Sequence, residues 1–357
     1  MRTLRCQSIS EFRSKIVLHA RLEQVLTETR NMLRHLKESG DNQKLILLCG
    51  PTGAGKTTVL KILTNEILQQ EAEKMEKDPA YLPVAQLSVA KVPEARSAWK
   101  RFWMDFGEAI GDVFVDQKSL PDKGSRLRQV STGESTEALH RSARNQIIHR
   151  RIQQIFIDEP QHLLQRGQGR TEKDNLDVLK SLCAAANTLC VLIGPYELRT
   201  LVARDGQLIR RSKFIHFRAY GSSKQDHADF EDTIYELEAL LPLPFARDLD
   251  VELLFERSLG CVGLLKDWLA SAAQHAADRS AKEVTQSDLL ATAFSLAELE
   301  TLALEIEMGE TDFHEKRSTR AHLRRFMGLA EESESGEIKK PRKYCPGVRN
   351  PKRDTLG

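Results

Sequence analysis

The chain has 357 residues, with 53 Lys and Arg against 51 Asp and Glu, giving a net charge of +2. At ~150 residues per domain this length suits two to three domains. A content of 40% hydrophobic and 29% charged residues excludes an unfolded polyelectrolyte, a collagen-like repeat and a membrane protein. No apolar stretch approaches the ~20 residues a membrane helix needs. The N-terminal stretch MRTLRCQSISEFRSKIVL holds only a short apolar run, Ile16 to Leu18, whereas a secretory signal needs ~7–15. Six cysteines without a CxxC pair offer neither a disulfide framework nor a zinc site. The expectation is a soluble, cytoplasmic protein with no membrane partner.

In chain order, residues 19–38 carry Leu22, Val25, Leu26, Thr29, Leu33 and Leu36 at helical spacing and predict an amphipathic helix ended by Ser39-Gly40. The run LILLCG follows. It is too short for a helix and lacks alternation, which suits a strand buried on both faces. Residues 56–76 predict a helix. Apolar runs at 83–89, 155–157, 189–193 and 214–217 add four more strands, with helical patterns between them. Such alternation indicates an α/β fold with a parallel five-stranded sheet. Residues 117–151 are polar and loop-rich in their first half. After about 222 the strands stop, and 226–241, 249–259, 263–277 and 286–306 all predict helices, with LPLP at 241–244 as punctuation. The final stretch IKKPRKYCPGVRNPKRDTLG has no periodicity and is expected to be disordered alone.

Two motifs carry chemistry. GPTGAGKTT (Gly50, Pro51, Thr52, Gly53, Ala54, Gly55, Lys56, Thr57, Thr58) satisfies the Walker A pattern between a strand and a helix. Its glycines allow a tight curl whose N–H groups face phosphate oxygens, and the helix adds the positive end of its dipole. Lys56 is expected to reach the β- and γ-phosphates of ATP, and Thr57 to ligate Mg2+. QQIFIDEPQHL ends an apolar strand in Asp158-Glu159. Carboxylates at the carboxyl end of a parallel strand lie beside the ligand crevice of open α/β sheets. Asp158 is expected to hold the magnesium, and Glu159 to orient and deprotonate the attacking water.

The later blocks narrow the class. TLCVLIG followed by PYELRTLVARDGQLIRRSKFIHF resembles the fourth strand, next helix and arginine-finger region of AAA+ ATPases. The order IDEPQHL, IGPYELRTL, QLIRR, with DFEDTIYELEALLPLP after it, resembles the TniB/TnsC (MuB-like) family of transposition ATPases over about residues 19–306. The resemblance implies an AAA+ P-loop base with a C-terminal helical lid. The expected boundaries are 1–40 for an N-terminal helical extension, 41–222 for the base, 223–308 for the lid and 309–357 for a basic, flexible tail. It also implies an arginine finger at Arg210 or Arg211, and a nucleotide-contacting sensor 2 at Lys266 in SLGCVGLLKDWL. Where AAA+ proteins commonly place a polar sensor 1 residue, this chain has Gly194-Pro195-Tyr196. Tyr196 or Glu197 are the substitutes at hand, or hydrolysis is slow, as suits a switch.

Residues 117–151 contain eight Lys and Arg against three acidic residues. The resembling family grips DNA on this side. Lys123, Arg126, Arg128, Arg141 and Arg144 are candidate phosphate contacts, with Lys91, Lys100 and Arg101 from the segment before. Such contacts give salt-sensitive, sequence-tolerant binding; a solvated helix face is the alternative for each. Trp99, Phe102, Trp103 and Phe106 fit one helical stripe and are expected in the core. The tail from 338 onward carries seven Lys and Arg against one Asp; it suits DNA or a partner protein. These readings predict an ATP hydrolase that oligomerises as a ring or helical filament on double-stranded DNA. It would recruit a transposase, with a target-selector protein as a further partner. The alternative is an AAA+ signalling or protein-remodelling ATPase that binds protein rather than DNA.

Overall fold

A computed structural model describes residues 5–38, 45–91, 95–112, 136–164, 175, 177–178, 181, 188–246, 250–314 and 317–329. Helix α1 (Ile9–Ser14) begins at Ser8, whose hydroxyl accepts the Glu11 N–H and caps it. Helix α2 (Ala20–Glu38) buries the predicted stripe from Leu22 to Leu36. Strand β1 (Leu45–Cys49) is buried at every position. The helix predicted over 56–76 is two, α3 (Lys56–Gln70) and α4 (Ala72–Lys77), broken at Glu71. Helix α4 buries no residue, so no packing holds it in line with α3.

Then come β2 (Val84–Ser88), α5 (Ala95–Ala109), α6 (Thr136–His149), β3 (Gln154–Asp158) and α7 (Gln161–Leu164). They are followed by β4 (Leu189–Gly194), α8 (Tyr196–Ala203), α9 (Gly206–Arg211) and β5 (Ser212–His216). The five strands form one parallel sheet in the order β2-β3-β4-β1-β5. Alternate residues face opposite sides of a strand, and two cores follow. Leu45, Leu47, Ile155, Ile157, Cys190 and Leu192 pack on α5, α6 and α8. Ile46, Leu48, Phe156, Val191 and Ile193 pack on α2 and α3. The aromatic stripe Trp99, Phe102, Trp103 and Phe106 lies in the first of these, as the spacing predicts.

The helical region comprises α10 (Lys224–Leu240), α11 (Val251–Ser258), α12 (Val262–Asp278), α13 (Gln286–Thr292) and α14 (Leu296–Phe313). The single helix predicted over 286–306 is two. Ser295 starts the second with a reciprocal cap: its hydroxyl accepts the Glu298 N–H at 3.3 Å, and the Glu298 carboxylate accepts the Ser295 N–H at 2.8 Å. Phe230, Leu237, Leu265, Trp268 and Leu269 form the core of this region, and Phe12 of α1 joins it. The expected N-terminal extension therefore divides: α1 packs with the C-terminal helices and α2 with the sheet. The expected lid boundary at 308 falls inside α14. Residues Met1–Phe313 form one unit and His314–Gly357 a second. The second contains a helix, α15 (Arg317–Phe326), in the expected basic tail and ahead of the final stretch expected to be disordered; its Leu323 and Phe326 are exposed.

A buried ion pair ties α2 to α10. Arg21 donates to Asp226 at 2.6 Å, and both side chains are 7% exposed. Burial works against the Asp226 charge, but the Gly221 N–H, Arg21 and Arg218 together hold its carboxyl below the usual range. Removing one partner of a buried pair costs about 3–5 kcal/mol. Asp226→Ala is therefore expected to lower unfolding stability by that amount in urea titration. Because the folded-state value is depressed, the pair's contribution is complete above the unfolded carboxyl value of ~4 and is lost as pH falls through the lower folded value. The variant's stability lacks that acid-dependent part.

Candidate functional site

The loop after β1 is shaped by close backbone approaches. The Gly50 N–H donates to the Gly194 carbonyl at 3.4 Å, and a side chain at Gly50 would run into the Phe217 backbone. Gly53 (φ 78°) and Gly55 (φ 100°) hold left-handed conformations that other residues rarely adopt. Gly55 starts α3. The loop curls round Lys56, whose ammonium donates to the carbonyls of Gly50 (2.9 Å) and Pro51 (2.8 Å). Burial lowers the Lys56 pKa, opposed first by Glu159, then by Glu305 and Asp158. Ala54 is buried, while Thr52 and Thr57 lie at the surface of the loop. The Thr58 N–H donates to the Gly55 carbonyl at 2.9 Å, within the first turn.

Asp158 closes β3, and register places it beside Ser88 of β2 and Ile193 of β4. Its Oδ2 accepts the Thr57 hydroxyl at 2.8 Å. Its Oδ1 is buried without a partner. Burial raises the Asp158 carboxyl, partly offset by the Thr57 hydrogen bond. One carboxylate with a free oxygen and one hydroxyl fit Mg2+, which takes few protein ligands and fills its shell from phosphate and water. Among the described residues no cluster of three or more His, Cys, Asp or Glu could hold a metal by itself. Glu159 has φ 56°, an uncommon conformation for a side-chain-bearing residue. Its N–H donates to the Ile193 carbonyl at 2.9 Å. Its carboxylate accepts the Gln161 amide, and His162 Nε2 stands 4.0 Å away.

The helical region covers this edge in two places. The Gly263 N–H at the start of α12 donates to the Gly53 carbonyl at 2.7 Å. Helix α14 spans from the helical region to the sheet: Leu302 and Ile306 meet Cys261 and Leu264, Gly309 lies against the Tyr196 ring, and Phe313 stacks on His216 at 4.1 Å. Lys266 is turned away from the expected sensor role. Its ammonium donates to the carbonyls of Arg13 (2.8 Å) and Lys15 and lies over the Phe12 ring. Carbonyls of the N-terminal segment thus hold the charge that a phosphate was expected to take. The Tyr196 hydroxyl is also engaged, 3.0 Å from His216 Nε2, and Glu197 is exposed. Arg210 and Arg211 lie exposed in the last turn of α9.

Of the candidate DNA contacts, Lys123, Arg126 and Arg128 lie outside the described residues. Lys91 is exposed and Lys100 half-buried. Arg101 pairs with Asp105 at 2.7 Å. Arg141 and Arg144 are exposed on α6, one turn apart, while Leu139, Ala143 and Ile147 bury the opposite face. Two participants escape a reading of the sequence. Gln161 lies in the block IDEPQHL, where only the acidic pair was given a role, and Glu305 sits in a helix whose packing only the fold reveals.

Among the described residues no helix is long and apolar enough to cross a membrane. Residues 38–202 match the family model described as an AAA domain. No curated protein matches the chain. Solved structures do. The Aeropyrum pernix ORC1 protein in complex with DNA superposes with a TM-score of 0.53 at 20% identity, over 77% of this chain and 65% of that one. The ORC2 protein of the same organism, in ADPNP–ADP complexes, gives 0.50 at 14% identity, over 80% and 71%. Cdc6p from Pyrobaculum aerophilum gives 0.50 at 16% identity, over 79% and 69%. The chain has the fold of a P-loop AAA+ ATPase, a parallel five-stranded sheet followed by a helical C-terminal region, and residues 38–202 of it are similar to an AAA domain.

Proposed function

We propose that this protein is an ATP-hydrolysing switch that assembles on double-stranded DNA and, in that state, recruits a transposase. The observation that carries the nucleotide half is the meeting of Lys56, Thr57, Asp158 and Glu159 at one edge of the sheet. Bound ATP with Mg2+ supplies the scissile phosphoanhydride. The loop N–H groups cradle the phosphates, and Lys56 moves from its two carbonyls to the β- and γ-phosphates. Thr57 and Asp158 would hold the magnesium, Asp158 through its water shell, and the ion would supply charge neutralisation at the phosphates. Glu159 orients the attacking water and takes its proton. Arg210 or Arg211 of a neighbouring copy neutralises charge on the γ-phosphate, which makes the active unit a homo-oligomer, ring or helical filament.

The DNA half rests on the basic excess of 117–151 and on the exposed pair Arg141 and Arg144. A protein of the same fold was solved in complex with DNA. The transposase, and a target-selector protein as a further partner, rest on the order of the blocks IDEPQHL, IGPYELRTL and QLIRR. The deciding experiment images the protein with duplex DNA at low and moderate salt, with ATP or a non-hydrolysable analogue. Nucleotide-dependent rings or filaments on DNA are expected. Absence of DNA binding in every nucleotide state at low salt sinks the reading.

Three variants test its parts. Lys56→Ala removes charge-assisted hydrogen bonds and is expected to weaken nucleotide binding at least ~10- to 100-fold, read by a fluorescent ATP analogue, and to abolish assembly. Glu159→Gln is expected to keep nucleotide affinity, lose ~10²- to 10⁴-fold in kcat and give longer-lived DNA complexes; normal hydrolysis removes Glu159 from the role of base. Replacing Arg141 and Arg144 together by Ala is expected to lower the slope of log K against log salt by about 2. ATP turnover without DNA should stay unchanged.

A further inference from the structure

The end of β4 lacks the polar side chain that AAA+ proteins commonly place there, and the fold offers one from the start of α7, just after β3. Gln161 begins α7 and is 4% exposed. Its Nε2 donates to the Glu159 carboxylate. A carboxylate only accepts, so the amide nitrogen must face it, and this fixes which way the amide is turned. The amide oxygen is thereby directed the other way, and Gln161 Oε1 is buried without a hydrogen-bond partner. A buried amide oxygen left unpaired is unfavourable, which marks the atom as an acceptor awaiting a donor.

That oxygen lies over Gly194. A Cβ at Gly194 would sit 2.9 Å from it, closer than real contacts allow. Gly194 has no left-handed φ, so what its missing side chain provides is space. The neighbouring groups are unable to do the same work. Pro195 has no N–H, Tyr196 is engaged by His216, and Glu197 is exposed. Glu159 itself stands on a left-handed backbone whose N–H is anchored to β4 at Ile193. Its carboxylate is therefore directed by two constraints, the backbone and the Gln161 amide.

Resting on the ATPase reading above, we propose that Gln161 is the positioning residue of this site. It aims Glu159 with its nitrogen, and with its oxygen fills over Gly194 the place of the polar group that β4 does not supply.

The test uses the full chain, with MgATP turnover, binding of a fluorescent ATP analogue, thermal melting and the pH dependence of kcat. Gln161→Ala is expected to lower kcat about 10- to 100-fold, the worth of a hydrogen bond to a charged group, with nucleotide affinity and melting temperature little changed. Gln161→Glu keeps the size but sets a second carboxylate against Glu159. Like charges disfavour ionisation, so the acid limb of kcat is expected to move to higher pH, which a merely structural role would not produce. Gly194→Ser in the Gln161→Ala background returns a hydroxyl to the vacated space and is expected to recover part of the rate. A double variant no faster than Gln161→Ala overturns the link to Gly194. Wild-type kcat in Gln161→Ala, or an unmoved acid limb in Gln161→Glu, overturns the assignment; if the alanine variant does not fold, the glutamate variant decides alone. A wild-type protein that binds no nucleotide fails differently, because it takes the ATPase reading with it.

Discussion

The register of the parallel sheet is the constraint on which the rest depends. Pairing sets Cys49 beside Gly194 and His216, and Asp158 beside Ile193. All the strand ends that bear chemistry therefore finish at one edge. Parallel strands carry such an edge because each crossover returns the chain to the same starting side. A slip of one residue in β3 would turn Asp158 to the opposite face. It would part the Thr57 hydroxyl from its acceptor, and move Glu159 away from the β4 carbonyl that anchors it. The site is thus a property of pairing before it is a property of any side chain.

The helical region is joined to that edge through small residues. Gly53, Gly263 and Gly309 all lie where a side chain would enter a neighbour: Leu264, the Gly53 carbonyl and the Tyr196 ring. Close approach of backbones lets α12 and α14 reach the loop and the start of α8 without a wide layer of side chains between. Larger side chains then secure the far end. Arg199 lies over both Phe214 and Phe313 and donates to the Asp312 carbonyl, and Phe313 stacks on His216. Glu305, between these contacts, adds negative charge to the surroundings of Lys56.

Much of this was legible in the sequence, for identifiable reasons. Strands buried on both faces are continuous apolar runs, so LILLC and LCVLIG declared themselves. The phosphate loop is legible because its geometry demands glycine at fixed offsets. What was not legible depends on contact between distant segments. Lys266 sits in a block resembling a sensor, yet nothing local says that the carbonyls of Arg13 and Lys15 will hold it. The break at Ser295 was hidden because Leu289, Ala293, Leu296 and Leu299 keep three- and four-residue spacing across it; the cap with Glu298 was the available signal. The divided N-terminal extension was hidden too, since Phe12 and Leu22 are equally apolar and only the fold sends one to the lid core and the other to the sheet.

The hydrogen bond from Gly263 to Gly53 joins two backbones, each without a side chain. Removing a side chain elsewhere cannot delete such a bond, because its donor and acceptor belong to the main chain; a side chain at Gly263 would collide with the Gly53 carbonyl, and proline there would remove the donor. The curl of the loop and the first turn of α12 are accordingly joined directly. A change in the loop therefore reaches the first turn of a helix of seventeen residues whose remaining turns are packed in the core of the helical region. The far end of that helix can be lengthened, recharged or repacked, whereas position 263 has room for glycine alone.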